Sequence, residues 1–499
     1  MPSARHSSIR SSPPPSHSVV MRSIVLSTLA LSLLSQGGRA DTTLSIDPNS
    51  NWGTWEGWGV SLAWWAKAFG NRDDLASVFF SRNNQAINGQ TLPGLGFNIV
   101  RYNAGACSNN SYDGATMVVS PNIKPSRQMD GFWLDWASTD PSSSSWNWNV
   151  DANQRAMLQK AKANGANIFE LFSNSPMWWM CNNHNPSGSG ATDNLQSWNY
   201  QNHAVYLANI AQHAKQSWGV EFQSVEAFNE PSSSWWTADG TQEGCHFGVS
   251  TMATVIGYLN TELSSRGLSS FVASSDETSY DLAISTWQGF NSSVRNIVKR
   301  INVHGYQGSG GRRDTLYSLA SQSGKRLWNS EYGDSDASGK SMYQNLLLDF
   351  TWLHPTAWVY WQAIDGAGWG LIVGDNDRLT LSSASTKYFV LAQLTRHIRP
   401  GMQILSTPDD NTAVAYDAGS QKLVIVAANW GSAQTITFDL SRARTAGSNG
   451  ATVPRWSTQT GGGDQYRSFT DTKISNGRFS ASFSSGQVQT FEVSGVVLK

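Results

Sequence analysis

The sequence predicts an α/β chain, a (β/α)8 TIM barrel with a side β-sandwich, and three observations carry that prediction. Between about 57 and 396, short apolar runs alternate with amphipathic helical stretches, the pattern of βα units wound around a parallel sheet. Those runs number eight, which is the count that closes a barrel. Composition then shifts near residue 400. Of the 23 Trp, only Trp430 and Trp456 lie beyond it, and the last hundred residues alternate in short β-like runs.

The expected barrel strands are Gly57–Ser61, Phe97–Tyr102, Asn167–Phe172, Ser224–Asn229, Phe271–Asp276, Ile301–His304, Arg326–Glu331 and Ala357–Trp361. Helical partners include 151–163, with Ala156, Leu158 and Ala161 near one face and Asp151 as its expected cap, and 200–218, with Val205, Ile210 and Ala211. A doubly wound open sheet is the competing arrangement, but no Gly-rich dinucleotide turn follows the first strand. In the C-terminal region the runs at Thr412–Asp417, Lys422–Ala428, Thr435–Leu440, Arg478–Phe483 and Gln489–Val493 are bounded by turn residues and read as an antiparallel sandwich.

Residues 1–40 read as a secretory signal region rather than fold. Met21-Arg22 precedes an apolar run from Ser23 to Leu34, and Gly38-Arg39-Ala40 offers small residues at a cleavage site; translation can begin at Met21. The run falls short of the ~20 residues a membrane span needs, so a secreted, extracellular protein is expected, with no membrane partner. Asn109-Asn110-Ser111 and Asn291-Ser292-Ser293 are glycosylation sequons. Cys107, Cys181 and Cys245 are too few for a disulfide scaffold and lack metal spacing. Cys181 and Cys245 follow the third and fourth strands, so a bridge between them is expected, with Cys107 left over.

Lys plus Arg number 35 against 36 Asp plus Glu, a formal charge of −1 that gives nucleic acid no electrostatic footprint. Few charges with many Gly and Trp describe a surface suited to a neutral, hydroxyl-rich ligand. A monomer is expected. No HExxH, other close His pairing or P-loop occurs, so neither a metal nor a cofactor is expected. Gly333-Asp334-Ser335-Asp336 lacks the closing Gly of a hydrolase serine elbow, which leaves a serine esterase a distant alternative.

Barrel chemistry sits at the C-terminal ends of the strands. Strand four closes on Asn229-Glu230-Pro231 and strand seven on Ser330-Glu331-Tyr332, which places two carboxyls on opposite sides of one mouth. Acetal hydrolysis needs such a pair: one carboxyl protonates the departing oxygen while the other attacks the anomeric carbon or directs water at it. Glu230 is assigned as acid/base, with Asn229 beside it for a ring hydroxyl, and Glu331 as nucleophile. Tyr306 and Arg101 are expected to keep Glu331 ionised. His304 and Asp276, which close strands six and five, are counted with Arg101, Asn229 and Tyr306 as substrate-binding residues. Trp361 is expected to floor the cleaved-sugar subsite, since an indole face buries sugar C–H groups. Trp64, Trp65, Trp178, Trp179, Trp235, Trp236 and Trp369 are rim candidates, three of which are expected to touch sugar; Trp178 is counted among the substrate-binding residues.

Several segments resemble glycoside hydrolase family 30: Glu56-Gly-Trp-Gly-Val-Ser61, Asn98-Ile-Val-Arg-Tyr-Asn103, Ser175-Pro-Met-Trp178, Ala227-Phe-Asn-Glu-Pro231, His304-Gly-Tyr306 and Leu327-Trp-Asn-Ser-Glu331. Within that family the Trp-dense runs are most similar to the secreted fungal endo-β-1,6-galactanases. The resemblance implies a retaining mechanism with Glu230 and Glu331 in the roles above, and a polysaccharide substrate, the β-1,6-galactan side chains of plant arabinogalactan. Members acting on β-1,6-glucan, xylan or glucosylceramide share the same frame. It also implies that Thr43–Asp47 returns to the C-terminal strands, giving 41–56 as the first strand of the sandwich, 57–396 as the barrel and 397–499 as the rest of the sandwich. A non-catalytic carbohydrate-binding barrel is the alternative from another class.

Overall fold

The computed structural model describes residues 41–366 and 368–499; the signal region expected over 1–40 lies outside the described residues. Eight parallel strands close a barrel: β1 Gly57–Ser61, β2 Ile99–Asn103, β3 Ile168–Phe172, β4 Ser224–Glu226, β5 Phe271–Glu277, β6 Arg300–His304, β7 Arg326–Tyr332 and β8 Ala357–Tyr360, each hydrogen-bonded to the next and β8 to β1. The expected strands are all present: each sets apolar side chains against the helical layer, and the amphipathic stretches between them separate one run from the next. The largest shift is in β4, which leaves the ladder after Glu226, so that Asn229 and Glu230 stand on the irregular segment beyond it.

Alternation along these strands sends an unusual set of side chains inward. Arg101, Glu170 and Ser224 stand opposite one another across β2, β3 and β4, and Arg300, Asn302 and His304 follow at two-residue steps on β6. The barrel floor is therefore an ionic lattice with a small apolar plug at Ile99, Trp328, Ala357 and Val359. Register irregularities fall between Ser275 and Glu277, between Val303 and His304, and between Asn329 and Tyr332. Such bulges re-aim side chains at barrel rims; here they turn Asp276, His304 and Glu331 toward the mouth.

The helix predicted to start at Asp151 spans Ala152–Ala163, but Asp151 does not cap it. Its carboxylate is drawn away to Tyr102 Oη and to Gln154 Nε2 at 2.6 Å.

The sandwich pairs a seven-stranded sheet with a three-stranded one. Arg478–Phe483 alternates exposed and buried residues in strict succession, as a half-covered strand must. Thr42–Ser45 joins this smaller sheet, and it does so in parallel with Gln434–Asp439, which departs from a purely antiparallel module. Thr452–Gln459 and Arg467–Lys473 also belong to the larger sheet; Pro454 inside one and the polar, exposed character of the other hide both from pattern reading. Between barrel and sandwich runs the helix Thr386–Thr395, buried from Lys387 to Thr395. On one side Tyr388 Oη donates to Pro93 O at 2.7 Å and Lys387 Nζ to Asp334 Oδ1 at 2.7 Å. On the other, Gln393 Nε2 donates to Thr458 Oγ1 at 2.9 Å and Thr490 Oγ1 to Gln393 O at 2.8 Å.

The expected Cys181–Cys245 bridge is absent: Cys107, Cys181 and Cys245 are all free and buried. Each thiol is directed at its own acceptor, Cys107 at Glu243 Oε1, Cys181 at Pro176 O and Met177 O, and Cys245 at His246 O. Among the described residues no helix is long and apolar enough to cross a membrane.

Candidate active site

A cavity of about 610 Å³ opens at the C-terminal end of the barrel. Of the residues singled out in the sequence, Asn229, Glu230, Tyr306, Glu331 and Trp361 line it, and so do the rim candidates Trp64, Trp235, Trp236 and Trp369. Four of the seven rim tryptophans thus face the cavity. Trp65, Trp178 and Trp179 belong to the hydrophobic core instead. Trp178 is corrected from substrate binding to packing: it is 0% exposed, and its indole N–H donates to Ser108 Oγ at 2.6 Å.

One carboxyl oxygen each from Glu230 and Glu331, and a ring nitrogen of His304, all lie within 4.8 Å of one another. Glu230 takes a left-handed backbone conformation (φ 48°), as does Asp276 (φ 58°), and the Glu230 N–H donates to Asp276 O at 2.8 Å. Non-glycine residues held in that region cost of order 1–3 kcal/mol each and gather where function fixes the backbone. The Trp236 N–H donates to Glu230 O at 3.0 Å, and Gly244 is required beneath that indole, since a Cβ there would fall 2.2 Å from Trp236 Cε3.

Arg101, Asp276 and His304, expected to bind substrate, are corrected to a supporting place: they lie beneath the cavity rather than on its wall, all three are 0% exposed, and the Asp276 carboxylate faces the other two. Arg101 donates to Glu170 Oε1 at 2.9 Å, to Glu331 Oε2 at 3.0 Å and to Asp276 Oδ2. His304 Nδ1 stands 3.1 Å from Glu230 Oε1 and 3.6 Å from Glu331 Oε1, and its Nε2 stands 3.3 Å from Asp276 Oδ1. Tyr306 donates its hydroxyl to Glu331 Oε1 at 2.9 Å. Asn229 keeps its carbonyl oxygen without a partner among the described residues.

Burial opposes charge throughout this cluster, and neighbours decide the outcome. Burial raises the Glu331 pKa, against which His304 and Arg101 favour the ionised form. Burial likewise works against Asp276, yet Arg101 and His304 hold its pKa down at about 2. For His304, burial is outweighed by Glu331 and Asp276, which push its pKa up to about 10. Its ring nitrogens are therefore donors to carboxylates, which does not suit them to hold a metal ion. Below, Arg300 donates to Glu170 Oε2 and to Ser224 Oγ. Glu226 has both oxygens buried and unpartnered among the described residues, and burial together with Asp276 and Glu170 raises its pKa far above the carboxylate range. In this buried set Arg101, Arg300 and His304 meet the carboxyl groups of Glu170, Asp276 and Glu331.

A closed parallel barrel whose mouth holds two converging carboxyls is the architecture of an O-glycoside hydrolase. The model of O-glycosyl hydrolase family 30 matches residues 41–300, and the chain belongs to that family. It is 92% identical over 479 residues to an endo-β-1,6-galactanase of Hypocrea rufa, covering 96% of this chain and all of that protein. Among solved structures, a conserved exported protein from Bacteroides fragilis aligns with TM-score 0.74 at 17% identity, over 91% of this chain and all of its own. The catalytic domain of a GH30 xylanase C from Talaromyces cellulolyticus aligns with TM-score 0.66 at 19% identity, with the same coverage. These two share the fold.

Proposed function

We propose that this chain is an exported, monomeric endo-glycosidase that cuts the β-1,6-linked galactan side chains of arabinogalactan with retention of configuration. The observation that carries the chemistry is the convergence of Glu230 and Glu331 with His304 inside 4.8 Å. Retaining enzymes hold their carboxyls about 5–5.5 Å apart, whereas inverting ones leave about 6.5–9.5 Å for a water. The choice of sugar is supported by the 92% identity to the Hypocrea rufa endo-β-1,6-galactanase.

In this reading Glu331 attacks the anomeric carbon as a carboxylate, its charge supported by Arg101 at Oε2 and Tyr306 at Oε1. Glu230 gives its proton to the glycosidic oxygen. The His304 N–H on Oε1 leaves the other Glu230 oxygen to carry that proton. Once the aglycone departs, Glu230 takes a proton from water, which releases the sugar from Glu331 with its configuration restored. The Trp361 ring, set edge-to-face against Trp64 at 5.2 Å, offers the apolar sugar face a platform. Export and glycosylation at Asn109 and Asn291 belong to the same reading.

The test is proton NMR of the first product released from β-1,6-galactan. Initial β-anomer is expected; initial α-anomer would overturn the nucleophile assignment, and no release of reducing ends despite binding would favour a non-catalytic barrel.

A further inference from the structure

Two charged residues on the cavity wall stand outside the carboxylate machinery. Arg127 closes a single helical turn, Pro125–Arg127, that is fixed by Pro125 at its start and by Ser126 N–H donating to Asp377 Oδ1 at 2.9 Å. Its guanidinium stacks over the Trp64 ring at 4.2 Å, and its side chain makes no hydrogen bond or ion pair among the described residues. Asp365 ends the two-residue strand Ile364–Asp365 on the loop after β8, where the strand is held by pairing with Ile372–Val373. One of its oxygens accepts from Gly366 N at 2.7 Å. The two residues sense each other electrostatically without touching, and both line the cavity that Trp361 and Trp369 complete. A half-buried guanidinium and a carboxylate left unbridged in a ligand cavity are a donor and an acceptor awaiting one partner.

The 3- and 4-hydroxyls of a galactosyl unit fit that role. They form a cis pair on one edge of the ring, and a hydroxyl both accepts and donates. When the apolar face of galactose lies on an indole, its axial O4 leaves on the opposite face, where the cavity must meet it with polar groups. Glucose, with O4 equatorial, directs that hydroxyl outward in the ring plane instead of toward the face opposite the indole. The other polar stretch of the wall, Gly240–Gln242, follows Glu230 on its own loop and so flanks the side of the departing sugar. We propose that Arg127 and Asp365 together read the C4 configuration of the sugar held against Trp361, the guanidinium donating to and the carboxylate accepting from its vicinal O3 and O4. This rests on the galactan reading above and adds to it the residues that separate galactan from a glucan of identical linkage. A site built to hydrogen-bond a hydroxyl discriminates far more strongly than one that merely accommodates it.

The experiment is calorimetric titration of two hydrolysis-resistant ligands, thio-linked β-1,6-galactotetraose and thio-linked β-1,6-glucotetraose, into the unaltered chain, Asp365→Asn and Arg127→Met. Methionine keeps an aliphatic stem over Trp64 and removes only the donors. The unaltered chain is expected to bind the galacto ligand more tightly. Each variant should weaken galacto binding about 10- to 30-fold and leave gluco binding within about twofold, with thermal midpoints unchanged. Equal weakening toward both ligands, or unchanged galacto binding in either variant, overturns the inference. Failure of the unaltered chain to bind or cleave the galacto chain sinks the substrate reading itself, and this inference with it.

Discussion

His304 presents Nδ1 to Glu230 Oε1 at 3.1 Å, and it does so from a position with no solvent exposure. An imidazole so placed among carboxylates is an imidazolium, its pKa pushed up to about 10 against the cost of burial by Glu331 and Asp276. A folded-state value above the unfolded one means that its stabilisation is complete below about pH 6.5 and is lost as pH rises through about 10. The thermal midpoint of His304→Gln should therefore trail that of the unaltered protein most below pH 6.5, with the gap closing toward pH 10. Scanning calorimetry across pH 5–10 checks this; a gap that widens with alkali would mean a neutral ring.

Glu331→Gln should lower turnover of galactan on the order of 10⁴-fold or more while leaving the fold intact. Glu230→Ala should lower it about 10²–10⁴-fold on natural chains, yet far less on an aryl glycoside whose leaving group needs no proton. Steady-state rates on both substrates separate the two roles, and equal losses on both by Glu230→Ala would count against an acid at that position.

Arg101 binds three carboxylates in the barrel interior. Arg101→Met strands them, and removal of one partner from a buried ionic set costs about 3–5 kcal/mol. Glu226→Gln should behave in the opposite way. Its carboxyl is kept neutral by burial and by Asp276 and Glu170, so the amide replaces an uncharged group of the same shape at a cost under about 1 kcal/mol. Urea unfolding of the two variants side by side provides the measurement.

Burial raises the pKa of all three thiols, that of Cys181 up to about 12. None should react with a thiol-specific disulfide reagent in the native protein at neutral pH, and all three should react after unfolding without reductant. A non-reducing peptide map that joins Cys181 to Cys245 would contradict the free thiols.

The barrel was legible because its strands are short, largely buried runs that alternate with amphipathic helical stretches, and Glu230 and Glu331 because a carboxyl at the end of such a strand has no packing reason to be there. Trp178 misled for the complementary reason: ring count along a segment says nothing about which ring turns inward. Glu170 and Glu226 escaped notice because a Glu within a strand resembles a solvent-facing position, and only the barrel closure brings Arg101 and Arg300 to Glu170 and buries Glu226. Arg127 and Asp365 lie in irregular loops after different strands, and nothing local links them. Left-handed backbone at Glu230 and Asp276 likewise has no signature in non-glycine residues.

The helix Thr386–Thr395 has no outward side: its apolar and amide groups are consumed by the barrel in one direction and by the sandwich in the other. There is consequently no seam at residue 396 along which the molecule could be divided. A barrel excised from its companion would carry a greasy wound where the sheet had lain, so the two modules should melt together in a single endotherm, and shortened versions for industrial use should precipitate rather than gain economy.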